Sequence, residues 1–457
     1  MRDASESRPQ ACLFLSLEAH RPLAPGARFA LGDVDEVAVG RGARREADRF
    51  VNGGKGGLRL RVDDPWMSSA HARLVRSGGG WRLEDTGSRN GTLVNGAPVR
   101  GRPLADGDVL ELGHTFFVYR EAVLAPDEPG EGGPGAAPPG LQTLVPSLAR
   151  AFAELARVAP SPVSVVLSGA VGTGKEVVAR AVHALSGRPG AFVAVNCGAI
   201  PAALAETTLF GHCEGAFPGA VAARPGLVRA ADRGTLFLDE VAELSPSSQV
   251  ALLRVLQERE VLPVGASHPV AVDMRVVVAT QRDLEALAKA GALRADLVSR
   301  LQGFTLRLPK LEQRREDTGL LVAALLRRVA PGAVDAVSIE GDAARGLFRY
   351  GWPGNVRELE KCLASAVVLA GGGPVLARHL PEPVRAALEA PAPGAPGGEA
   401  GPDDEAREDA EQRARLVRVL RDERGNVNAA SRALGKAPVQ IRRWLRRYGI
   451  DVNEFRK

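Results

Sequence analysis

The sequence predicts three folded segments in series: an all-β sandwich, an α/β segment on a mostly parallel sheet, and a short all-α segment. Three observations carry this reading. Short alternating runs such as Leu58–Val62, Gly80–Glu84 and Phe116–Tyr119 fill the first 124 residues, separated by Gly, Asn and Asp turns. In the middle, β-like apolar runs (Val163–Leu167, Thr235–Leu238, Arg275–Ala279) alternate with helical stretches, the pattern of parallel strands joined by crossover helices. Towards the end, apolar positions recur at three- and four-residue spacing, interrupted at Gly425-Asn426.

Two Pro/Gly/Ala-rich stretches divide the segments, APDEPGEGGPGAAPPG at 125–140 and APAPGAPGGEAGPDD at 390–404. Neither carries enough apolar surface to offset the entropy of ordering, so both read as flexible. The expected division is a sandwich over 1–124, a linker over 125–142, an α/β domain over 143–385, a second linker over 386–404 and a helical domain over 405–457.

With 45% hydrophobic and 25% charged residues, the chain has an ordinary globular composition. No apolar run approaches the length of a membrane span. The first residues, MRDASESRPQACLFLSLEAH, are too acidic and mixed for a signal peptide. Cys12, Cys197, Cys213 and Cys362 lie far apart, without metal-site spacing, and read as free thiols of a cytoplasmic protein. The net charge of +5 excludes little, but from Arg413 to Ile450 eleven basic residues stand against Asp422 and Glu423. That concentration is a footprint for nucleic-acid phosphates or, alternatively, a solvated helix face.

The strongest motif is Gly169-Ala-Val-Gly-Thr-Gly-Lys-Glu176, between an apolar strand and a helical run. Gly169, Gly172 and Gly174, with Thr173 between, would let backbone N–H groups wrap phosphates, and Lys175 adds a positive charge. Glu176 stands where the generic loop has Ser or Thr for Mg2+. Gly234–Glu240 follows, an apolar strand ending in two carboxylates. Asp239 would complete the Mg2+ shell and Glu240 would polarise an attacking water. Alone, the first motif reads as a glycine turn and the second as two solvated acids. Together they read as an ATPase using ATP and Mg2+.

The run GAVGTGKEVVARAVH resembles the AAA+ domain of sigma-54-dependent transcriptional activators, where Glu after the lysine is usual. The resemblance covers roughly 143–385 and implies a P-loop ATPase with a helical lid, working as a homo-oligomer from dimer to hexamer. It implies that Asn196, in Phe192–Cys197, restrains the catalytic glutamate and that Thr280 belongs to the sensor I strand, followed by Gln281. Arg294 and Arg300 resemble the arginines that reach the nucleotide of a neighbouring subunit. Arg357, in Tyr350-Gly-Trp-Pro-Gly-Asn-Val-Arg357-Glu-Leu, resembles the sensor II residue of the lid. Gly215-Ala-Phe-Pro-Gly-Ala220 resembles the GAFTGA loop that touches sigma-54 RNA polymerase, with Phe217 kept and Pro218 in place of threonine. Proline removes a donor and a hydroxyl and fixes φ, which is expected to weaken that contact.

Val37–Gly42, Ser68–Ala72, Leu83–Thr92 and Val94–Gly96 together resemble a forkhead-associated (FHA) domain, a β-sandwich that binds phosphothreonine peptides. Arg41 and Ser68 match its phosphate contacts, Asn90 its peptide-backbone contact, and Arg89 sits beside it. His71 reads as a brace for the loop. A sandwich used only for assembly is the other reading. At the far end, Arg424–Gly435 and Val439–Gly449 resemble a Fis-type helix-turn-helix. Val439, Gln440 and Arg443 would face bases, and Arg442, Arg446 and Arg447 phosphates. A plain basic hairpin is the alternative there.

The expected function is an ATP-dependent regulator that binds upstream DNA, receives a phosphothreonine signal from a protein or peptide, and remodels sigma-54 polymerase. Its rival is a DNA-binding regulator or scaffold that has lost sigma-54 contact and uses ATP as an assembly switch.

Overall fold

The computed structural model describes residues 9–125, 130–132, 138–332 and 337–390. Two antiparallel-rich sheets form the N-terminal sandwich. In spatial order one runs Gly130–Gly132, Gly26–Ala30, Pro9–Glu18, Thr115–Leu124, Val109–Leu112, Thr92–Val94, Ala97–Val99. The other runs Gly101–Pro103, Gly80–Asp85, Ala72–Ser77, Glu36–Arg41, Lys55–Val62, Glu46–Asn52. Alternate side chains of facing strands, among them Leu13, Leu15, Val39, Leu60, Trp81 and Phe117, fill the space between the sheets.

The two central strands of the first sheet break the half-buried rule. From Cys12 to Leu17 every residue is buried, so the strand has no solvated face. Leu13 and Leu15 point into the sandwich, while Cys12, Phe14 and Leu17 belong to a second core. In Thr115–Leu124, Phe117 and Tyr119 face inward, and Phe116 and Val118 join that second core. Apolar residues at consecutive positions in a strand need a cover on both sides.

The cover is the helical lid of the α/β domain. That domain has a five-stranded parallel sheet in the order Phe192–Asn196, Thr235–Asp239, Arg275–Thr280, Val165–Ser168, Phe304–Arg307. Its central strands read as unbroken apolar runs because helices cover both faces; all six residues of Arg275–Thr280 are buried. Even the Arg275 guanidinium is inside, donating to the carbonyls of Val158, Ala159, Ser161 and Val163 at the end of helix Pro146–Val158. The lid follows as helices Thr318–Val329, Gly341–Arg349, Asn355–Ala370 and Glu382–Glu389. Val322, Leu325, Leu347 and Phe348 meet the sandwich's outer face, with Phe116 and Phe348 stacked 5.0 Å apart.

Polar contacts fix the register of this joint. The Ser16 hydroxyl lies against the carbonyls of Arg315 (3.1 Å) and Glu316 (2.9 Å). Arg120 pairs with the buried Glu316, and Arg345 forks onto the buried Glu111 with two bonds of 2.7 Å. Asp317 accepts from Leu144 N–H at 2.6 Å and from the Thr143 hydroxyl at 2.7 Å; burial pushes its carboxyl up to about 6. The described residues within 125–142 also take part. Ala125 and Leu141 are buried, and Gly130–Gly132 adds an edge strand to Gly26–Ala30.

A Cβ at Gly319 would overlap the Ser16 carbonyl oxygen. In an exposed helix Gly→Ala stabilises by about 1 kcal/mol. Here Gly319→Ala should instead destabilise by about 1–3 kcal/mol through overpacking. Urea unfolding of the full chain gives the sign, and a raised midpoint would contradict the tight joint.

Candidate functional site

The carboxyl ends of the parallel strands converge on one edge of the sheet, where open α/β sheets bind ligands. Val165–Ser168 runs into the glycine loop, Thr235–Asp239 delivers Asp239 and Glu240, Arg275–Thr280 ends at Thr280, and Phe192–Asn196 ends at Asn196 beside Asp239. Gly169 N–H donates to the Thr280 carbonyl at 3.1 Å, and Glu240 N–H to the Ala279 carbonyl at 2.9 Å. Strand Arg275–Thr280 thus holds both the loop and the acid turn. Glu240 is left-handed at φ 55°, a strained conformation for a non-glycine residue at a site of interest.

Lys175 opens helix Lys175–Ser186 and is 8% exposed. Its ammonium donates to the carbonyls of Gly169 (2.9 Å) and Ala170 (3.1 Å). Burial lowers its pKa, while Asp239 and Glu240 oppose that fall. Burial raises the Glu240 carboxyl, with Lys175 pulling the other way. A lysine, an acid pair and a glycine loop at a helix N-terminus can bind a polyphosphate and activate a water against it.

The lid supplies what holds the loop open to a phosphate. Three consecutive carbonyls are taken from behind: Val171 by the Asn355 amide (3.0 Å), Gly172 by Arg357 N–H (3.3 Å) and Thr173 by the Arg314 guanidinium (2.7 Å). In a trans peptide the N–H points opposite to its C=O, so these bonds aim the following N–H groups the other way. Gly172 has no room for a side chain, since a Cβ would overlap the Gly354 carbonyl. Asn355 and Arg314 are 2% and 5% exposed, and sequence reasoning assigned neither a role. The adjoining cavity of about 260 Å³ is lined by Gly140, Val177, Leu308, Leu321, Arg314 and Val356, largely apolar walls that suit a nucleobase.

Other expected residues fall elsewhere. Glu176 is paired with Arg180 at 2.7 Å on the helix surface. The Asn196 side chain accepts from Gly198 N–H at 3.1 Å. Arg294 pairs with Asp296 at 2.7 Å, and Arg300 is exposed late in helix Ala295–Leu301, with no ion pair among the described residues. Phe217 and Pro218 sit exposed on a loop closed by Gly215 N–H to the Ala220 carbonyl (2.9 Å), with Phe217 edge-on to His212.

On the sandwich, Arg41, at the end of strand Glu36–Arg41, comes together with Ser68, Arg89 and Asn90 on neighbouring loops. Arg41 N–H donates to the Ser68 carbonyl (2.9 Å), Arg89 N–H to the Ser68 hydroxyl (3.0 Å), and the Asn90 amide to the Trp66 carbonyl (2.7 Å). His71 is fully buried; its Nδ1 accepts Ser68 N–H and its Nε2 meets the Gly91 carbonyl, so it braces these loops. Val439, Gln440, Arg442, Arg443, Arg446 and Arg447 lie outside the described residues.

Three family models match the chain: an FHA domain over 39–113, a Sigma-54 interaction domain over 142–307 and an AAA+ ATPase lid domain over 312–395. The transcriptional regulatory protein GlrR of Escherichia coli is 40% identical over 317 residues, 69% of each chain. ZraR of the same organism is 47% identical over 238 residues, 52% of this chain and 54% of its own. A crystal structure of NtrX from Brucella abortus in complex with ATP aligns at 28% identity and TM-score 0.48, over 68% of this chain and 69% of that one.

Lys175→Ala should abolish ATP binding, and Glu240→Gln should bind ATP but hydrolyse it at least about 10²-fold more slowly. Arg314→Ala should weaken ATP binding about tenfold or more, with partial recovery in Arg314→Lys. A base must be deprotonated, so the rate should fall with decreasing pH at a point above the ordinary carboxylate range. Isothermal titration with ATP and a pH–rate profile check these outcomes. Parent affinity in Arg314→Ala would remove its role behind the loop.

Proposed function

This chain belongs to the family of transcriptional regulators built on a sigma-54 interaction domain, and from that premise we propose that its AAA+ ATPase drives remodelling of sigma-54 RNA polymerase at promoters under phosphothreonine control. The observation that carries the reading is the glycine loop facing Lys175, Asp239 and Glu240, with its carbonyls held by Asn355, Arg357 and Arg314. Those groups fit ATP with Mg2+, the metal drawing charge from the transferring phosphoryl group. Asp239 would hold the metal and Glu240 would orient the water.

Arg300, exposed and without an ion pair among the described residues, suits a part played in a neighbouring subunit's site, in a ring up to a hexamer. Arg294 would share that part once released from Asp296. Arg41, Ser68, Arg89 and Asn90 would take the phosphothreonine of a partner protein, and the basic 413–450 segment would hold upstream DNA. Such a regulator would act in the cytoplasm.

The exposed Phe217–Pro218 tip is the proposed contact with sigma-54. It also supports the rival reading, a DNA-bound scaffold that uses ATP to assemble, because the proline brings no hydroxyl to the contact. Reconstituted transcription from a sigma-54 promoter, with this chain and ATP, separates the two. Pro218→Thr should increase capture of sigma-54 in the presence of an ATP transition-state analogue and leave hydrolysis within about twofold of the parent, since the tip is remote from the P-loop in sequence and solvent-exposed. Tight parent capture that falls in Pro218→Thr would instead make the proline a working form of the contact.

A further inference from the structure

A polar cleft of about 280 Å³ opens where the recognition loops of the sandwich meet the lid. Trp66, Asn90 and Leu93 form one wall, and Glu340, Asp342 and Arg345 of the lid form the other. Asn90, the residue matched to the peptide backbone contact, therefore faces the ATPase lid across this space.

The sandwich wall is partly apolar and held by packed contacts. Trp66 is 39% exposed and stacks on His114, ring centroids 4.0 Å apart and planes within 8°. Buried Asp64 anchors both, accepting Trp66 N–H (2.9 Å) and His114 N–H (2.8 Å). The Trp66 carbonyl holds the Asn90 amide. On the far side the His114 ring lies against Gly341, where a Cβ would come within 3.0 Å of two ring atoms. Asn90, Trp66, His114 and the first turn of helix Gly341–Arg349 thus form one packed series.

The charge of the cleft is unbalanced. Arg345 is shared between Glu111 and Asp342, at 2.7 and 2.8 Å. Glu340 forms no ion pair among the described residues, and Asp342 keeps 69% of its side chain exposed. Three carboxylates stand against one guanidinium, and burial keeps His114 towards its neutral form.

We propose that this cleft is the second half of the phosphopeptide site, taking the peptide residues that flank phosphothreonine on the Asn90 side and favouring a basic side chain among them. The inference rests on the phosphothreonine reading of Arg41, Ser68 and Asn90. A peptide running from those residues past Asn90 crosses the exposed face of Trp66 and reaches Glu340 and Asp342. Bound peptide then touches the sandwich and the lid at once, which links its affinity to the state of the ATPase.

The test uses the full chain and a degenerate peptide library with a fixed central phosphothreonine, alongside its unphosphorylated counterpart. The parent should enrich Lys or Arg at one or more flanking positions. Glu340→Gln combined with Asp342→Asn, two changes at the cleft rim outside the nucleotide site, should reduce that enrichment about fivefold. Phosphate dependence and ATP hydrolysis should stay at parent levels, which also reports that the variant is folded. Phosphate-dependent capture with no basic preference, or with one unchanged in the double variant, overturns the cleft while leaving the phosphothreonine site standing. Capture indifferent to phosphate removes that site and the cleft with it.

Discussion

The structure turns on four residues, Arg314 to Asp317, which together tie three parts of the molecule. Arg314 reaches the glycine loop through Thr173, and the Arg315 and Glu316 carbonyls meet Ser16 of the sandwich. The Glu316 carboxylate receives Arg120, and Asp317 holds Thr143 and Leu144, where the chain enters the ATPase domain. Buried charges are costly unless bonded, so a shift in this turn would strand several at once. Among the described residues, Arg314 Nε and Glu316 Oε2 in this turn are buried without a hydrogen-bond partner. The position of the sandwich and the shape of the nucleotide loop are therefore set by the same short segment.

The lid consequently has two neighbours. One face pins the P-loop through Asn355 and Arg357, and another packs on Phe14, Leu17 and Phe116 of the sandwich. Any change in lid position that follows nucleotide chemistry must either move the sandwich along or break their common core. Interfaces of this type favour discrete arrangements over gradual deformation, because close-packed side chains and buried ion pairs tolerate little sliding.

Much of this was legible in the chain itself. The strand–loop–helix context of Gly169–Lys175, the apolar run into Asp239-Glu240 and the WPGNVREL string point to a nucleotide edge on the parallel sheet. The alternating runs of the first segment gave a sandwich for the same reason. The joint between them was harder to read. Its signal was present in Cys-Leu-Phe-Leu-Ser-Leu17 and Thr-Phe-Phe-Val-Tyr119, where apolar residues stand on both faces of a strand, but a doubly buried strand does not reveal what covers it. Arg314 was hidden for a different reason: an arginine among Gln313, Arg315 and Glu316 looks like surface charge until its carbonyl partner is known. Within the Gly/Pro-rich stretch 125–142, composition gives no sign that Gly130–Gly132 pairs with Gly26–Ala30 or that Ala125 and Leu141 are buried, because those contacts depend on partners distant in the chain.

The doubly buried strand Pro9–Glu18 also limits how such regulators can be recombined. A sensory domain on a tether can be exchanged for another with little regard to the engine it serves. This one cannot be exchanged on its own, because an FHA fold with an ordinary solvated outer face would leave Val322, Leu325 and Phe348 against water. The heritable unit is the sandwich together with the lid surface that fits it, and the two are expected to change in concert along a lineage.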